Sequence, residues 1–138
     1  MGVKLIKISV VYFVLGVLLG FYMSMASDYS YTGVHAHMNL LGWTSLTLAG
    51  ILYLMFPRAG QSLSGKIHFW LHNIGLPLMM VGLFMAISGY TQFLVLIPIG
   101  GITVVLAVFV FAFNVLKNIR LSERSIIHHN LNQTELKK

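Results

Sequence analysis

Four runs of about 20 apolar residues take up most of this 138-residue chain: Leu5–Met25, His35–Phe56, Ile67–Tyr90 and Phe93–Leu116. That is the length a helix needs to cross the roughly 30 Å hydrocarbon core of a bilayer. The links between the runs, near residues 26–34, 57–66 and 91–92, are short, which makes consecutive helices antiparallel neighbours. The predicted fold is therefore all-α: a four-helix transmembrane bundle over residues 1–117 and a basic, polar cytoplasmic tail over residues 118–138. Lys4 and Lys7 precede the first run as they would in a signal peptide. The run is long, however, and no small-residue cleavage site precedes Asp28, so it reads as a retained helix.

Charge gives this bundle a direction. Lys4, Lys7, Arg58, Lys66, Lys117, Arg120, Arg124, Lys137 and Lys138 all fall on one side of a four-helix weave, whereas the other side carries only Asp28. Basic residues mark the cytoplasmic side, so both termini are expected inside and the protein is expected in the plasma (inner) membrane. The lipid bilayer is the first partner. With 57% hydrophobic and 9% charged residues a soluble globule is excluded, and the net charge of +6 needs no nucleic acid to explain it. The absence of cysteine excludes disulfides, thiolate zinc sites, iron–sulfur clusters and covalently attached haem.

Small residues suggest where the helices approach: Gly16 and Gly20 form a GxxxG step, and Gly75, Gly82 and Gly89 recur every seven residues. Pro77 and Pro98 are expected to kink the third and fourth spans. Trp43, Trp70, Tyr29, Tyr31 and Tyr90 are expected near span ends as an aromatic belt.

The chemistry is concentrated in Tyr31-Thr-Gly-Val-His35-Ala-His37-Met38-Asn39, at the outer mouth of the second span. Each helical residue turns about 100°, so His35 and His37 point about 200° apart and cannot chelate one ion together. Two sites, one on each face, fit that geometry, and a haem iron asks for one protein nitrogen per face of its ring. The ordered elements His35-Ala-His37, Leu41-Gly42-Trp43, Phe56-Pro57-Arg58 and His68-Phe69-Trp70 resemble helices X and XI of subunit I of haem–copper oxidases. The C-family cytochrome oxidases and the nitric oxide reductases are the nearest branches. The resemblance implies b-type haem, with His35 matching the ligand of the high-spin haem and His37 that of the low-spin haem, and it permits, without requiring, Trp43 to stack beside a ring. It further implies a place in electron transport or haem and gas-ligand binding around a respiratory chain, with respiratory-chain subunits as partners.

The family's copper-site histidines and its second low-spin haem ligand have no counterpart here, and the four runs contain no Asp or Glu. One copy is thus not a complete oxidase, and a homodimer or homotrimer is expected to supply the missing ligand. A second reading places copper on Met23, Met25 and Met38 with the nearby imidazoles, since thioether and imidazole together suit Cu(I); the chain would then handle copper or haem for oxidase assembly. A third makes it an interaction subunit without a cofactor. His68 is expected to anchor the third span at the inner interface, and His72 to bond across helices with Asn73 or with a carbonyl near Pro77. The level of both is expected to lie a full span from His35 and His37. His128 and His129 are expected to be solvated in the tail.

Overall fold

The computed structural model describes residues 1–119. Four long helices account for nearly all of them: α1 (Gly2–Ala26), α2 (Thr32–Met55), α4 (Leu63–Ile87) and α5 (Leu96–Asn118), with a short α3 (Pro57–Gln61) between the second and third. A single 3₁₀ turn, Thr91–Phe93, precedes α5. All four long helices are apolar and long enough to cross a membrane.

The helix ends follow from local chemistry. Ser27 adopts the left-handed conformation at φ 51°, and the Asp28 amide then donates to the Met23 carbonyl, closing α1. Gly89, at φ 94°, closes α4 the same way, with Tyr90 N–H donating to Met85. Phe56 leaves the helical region because Pro57 follows it, and Pro57 then opens α3. Ser62 caps α4 by accepting from the Gly65 amide at 2.9 Å. This cap starts the third span at Leu63, four residues ahead of the expected Ile67. Pro98 is the third residue of α5, where the amides have no intrahelical partner, so it costs no internal bond. Pro77 lies within α4, which is helical on both sides of it.

Contacts at glycine positions show the helix directions. Gly2 meets Gly50 and Leu54 while Gly20 meets His35, so α1 and α2 are antiparallel. Gly82 meets Leu96 and Ile97 while Gly65 meets Asn114, so α4 and α5 are as well. The two hairpins join through α2 and α4. Leu5, Leu46, Ala49, Tyr53 and Ala59 form one core cluster, and Val34, Leu76, Met79, Met80 and Val104 the other. In lipid the hydrophobic effect does not drive helices together, so close backbone approach has to do so. At Gly75 a Cβ would stand 2.8 Å from the Thr103 side chain and 3.0 Å from the Gly100 carbonyl, which is the closeness that packing needs.

This arrangement gathers Lys4, Lys7, Arg58, Lys66 and Lys117, every Lys and Arg among the described residues, at the end where α1 begins and α5 finishes. Asp28 lies at the opposite end. The tail positions Arg120, Arg124, His128, His129, Lys137 and Lys138 lie outside the described residues.

Candidate functional site

Two groups of histidines lie within the apolar bundle among the described residues. The first is the histidine pair. His35 faces α1, where its Nδ1 pairs with the Gly16 carbonyl at 2.9 Å. The GxxxG step makes room for this: a Cβ on Gly20 would stand 2.7 Å from the His35 ring, and one on Gly16 would meet the Asn39 side chain. Asn39 itself donates to the His35 carbonyl at 2.9 Å. His37 turns elsewhere, its Nδ1 pairing at 2.7 Å with the Gly33 carbonyl one turn back in its own helix. A carbonyl can only accept, so both rings donate from Nδ1, and the neutral form of each keeps its lone pair on Nε2. Metal-bound histidines are commonly oriented by such a bond.

The other expected site residues are dispersed. Trp43 lies near the midpoint of α2 rather than at a span end, and packs on Phe13 with ring centroids 4.7 Å apart. Met23 is buried and Met25 is 74% exposed, while Met38 lines an apolar cavity with Met80 and Met85. Among the described residues no group of three or more His, Asp or Glu side chains is placed to hold a metal ion.

The second group is the one the sequence hides. His68 and His72, one turn apart on α4, are both buried at 2% exposure, with ring centroids 5.4 Å apart. Tyr53 of α2 pairs with His68 Nδ1 at 3.0 Å, and Asn114 of α5 donates to the Tyr53 hydroxyl at 3.2 Å. Asn114 also donates to the Ala59 carbonyl and accepts from Ser62 and Asn118. His68 is thus tied into a column of side chains from α2, α4 and α5 and a backbone carbonyl of α3, not anchored singly at an interface. His72 Nε2 donates to the Leu41 carbonyl at 3.1 Å, in place of the expected Asn73 or Pro77 partner. The segment Met38–Ser45 is a π-helix, whose wider turn carries Leu41. Leu41 is four residues, about one turn of helix, from His37. The two histidine groups are therefore not a full span apart. The signals for this column in the sequence were the i, i+4 spacing of His68 and His72 and Asn114 in the fourth apolar run.

Comparison with family models, curated proteins and solved structures found no match to this chain.

Proposed function

We propose that this chain is a multi-pass protein of the plasma (inner) membrane, with both termini in the cytoplasm, that binds b-type haem through His37 and takes part in electron transfer or gas-ligand binding beside respiratory-chain subunits. One observation carries the reading: the His37 Nδ1 bond to Gly33 fixes the ring and leaves Nε2 as a ligand. His35 has the same tautomer, but the α1 backbone runs close to it, since a Cβ on Gly20 would stand 3.6 Å from its Nε2. His37 is half-buried and folds back on its own helix, so it is the better placed of the two. The ordered His-x-His, Leu-Gly-Trp and His-Phe-Trp elements support the same assignment. A bound haem supplies one-electron chemistry and, when one axial position is open, a place for a small gas. One chain offers one nitrogen on this face, so a second copy in a homodimer or homotrimer provides the other.

The reduced-minus-oxidised optical spectrum of the full chain, purified in detergent after expression with ample haem, tests this. The expected result is a haem band that His37→Ala abolishes. A band indifferent to His37, or none at all, overturns it. Retention of copper, lost in Met38→Leu, would instead mark the metal-handling alternative.

A further inference from the structure

The basic end of the bundle carries a cavity that the haem reading does not use. The start of α1, the end of α2, α3 and the first turn of α4 enclose about 570 Å³ there, with Gly2, Tyr53, Leu54, Gln61 and Lys66 among the walls. Tyr53 is buried at 3% exposure and closes the cavity towards the bundle interior, whereas Gln61 and Lys66 are exposed. Leu54 is 48% exposed on the outer face of α2. The cavity is thus polar towards the end of the bundle and opens sideways, past Leu54, on the flank that lipid covers.

Charge decides what such a cavity attracts. Lys66 shares this end with Lys4, Lys7, Arg58 and Lys117, while the one carboxylate side chain among the described residues, Asp28, lies at the other end. No carboxylate among the described residues is therefore within reach of Lys66. An anion that enters meets the three N–H donors of the Lys66 ammonium, and the Gln61 amide adds two more.

Shape decides which anion. A soluble one has no use for the apolar opening at Leu54. A membrane lipid places its phosphate at the level of the basic residues and its acyl chains along the flank, where Ile51, one turn deeper on α2, is 41% exposed. The volume falls within the roughly 300–1,000 Å³ of pockets that enclose small ligands, so a phosphodiester headgroup fits inside. Basic pockets between spans hold anionic headgroups in other membrane proteins. We propose that this cavity binds the headgroup of an anionic phospholipid, its phosphate against Lys66 and Gln61 and its acyl chains leaving past Leu54 and Ile51. The inference does not rest on haem binding.

Native mass spectrometry of the full chain in a neutral detergent, titrated with phosphatidylglycerol or with phosphatidylcholine, tests this. Wild type is expected to hold one phosphatidylglycerol per chain at concentrations that leave phosphatidylcholine unbound. Lys66→Gln removes the charge, and Gln61→Trp fills the mouth from an exposed position without altering the charge. Each is expected to weaken phosphatidylglycerol binding about fivefold, equivalent to about 1 kcal/mol. Lys117→Gln removes the same charge from the same end but outside the cavity wall, and is expected to leave binding nearly unchanged. Equal affinity for the two lipids overturns the proposal, as does an equal loss in Lys66→Gln and Lys117→Gln, since surface charge alone then accounts for binding. Unchanged binding by Gln61→Trp overturns it too. So does displacement of the lipid by glycerol phosphate at equal concentration, which would mark a site for a soluble anion.

Discussion

Asn114 ties α5 to α2, α3 and the cap of α4 through four side-chain bonds, to Tyr53, Ala59, Ser62 and, within α5, Asn118. Asn114→Ala removes all four bonds, leaving the Asn118 amide without a partner while Tyr53 keeps His68 and Ser62 keeps the Ala59 carbonyl. Each buried orphan costs on the order of 1–3 kcal/mol in a soluble protein and a bond nearer 0.6 kcal/mol within a bilayer, so a loss of about 2 kcal/mol is expected. Unfolding in mixed detergent micelles measures it. Asn73 is the contrast: its amide bonds the Phe69 carbonyl of its own helix, and its Oδ1 is already buried without a partner. Asn73→Leu is therefore expected to be neutral or stabilising in the same assay. Asp28 makes a residue-scale prediction outside the apolar helices. The Ser30 hydroxyl, and then the Ser30 amide, donate to its carboxylate at 2.6 and 2.9 Å and hold its pKa below the usual carboxylate value. A lowered pKa means the turn's contribution is complete above the ordinary carboxylate pKa and is lost as pH falls through the lowered one. Ser30→Ala is expected to raise the Asp28 titration midpoint seen by NMR, leaving a smaller depression from the amide. Residue type alone could not separate Asn114 from Asn73. Both are Asn in apolar runs, and only the packing of α2 and α5 against α4 decides which finds partners.

Among the helices, close approach is the sensitive quantity. Gly20→Ala would put a methyl 2.7 Å from the His35 ring, which is itself bonded to Gly16, so the ring or the helix must shift. A loss of about 1–3 kcal/mol is expected, as for overpacking elsewhere. Gly33→Ala is the matched control, because its nearest neighbour, Leu83 Cδ2, is at an ordinary 3.5 Å. Relief of glycine's entropy should make that variant up to about 1 kcal/mol more stable. Detergent unfolding of the two variants side by side checks both signs; a Gly20→Ala variant as stable as Gly33→Ala would count against a close α1–α2 approach. The helices themselves were legible in the sequence, because runs of about 20 apolar residues have few other uses. Their ends were less so. Ser62 starts α4 four residues early through one hydroxyl, and the Thr91–Phe93 turn delays α5 to Leu96. The π-helical stretch Met38–Ser45 had no signal in hydropathy, which responds to side-chain polarity and not to which carbonyl an amide finds. That stretch is what places Leu41 against His72, and so it governs the relation between the two histidine groups.

At the scale of the molecule, the two ends differ more than any two faces. The described Lys and Arg residues share one end with Tyr53, Ser62 and Asn114, and the histidine pair lies towards the other, near Asp28. Between them the outer faces of α1 and α5 expose Val14, Leu18, Phe21, Ile102, Phe109 and Phe113, which water would penalise and lipid would not. Segregation of charge by end was readable because a weave of four spans leaves each loop only two places to be. The sharing of one polar column by α2, α3, α4 and α5 was not readable, since Tyr53, His68 and Asn114 come from three separate runs. The proposed orientation rests on the positive-inside bias, under which the basic end belongs in the cytoplasm. Because the chain has no cysteine of its own, single introduced thiols report the side directly. Ser30 lies in the exposed turn before α2 and Gln61 at the exposed end of α3, at opposite ends of the bundle. In intact spheroplasts, a membrane-impermeant maleimide is expected to label Ser30→Cys and to reach Gln61→Cys only after lysis. The reverse pattern would place the basic end on the outer side, and the histidine pair would then face the cytoplasm. Labelling of both before lysis would mean that the four helices do not form a single spanning bundle.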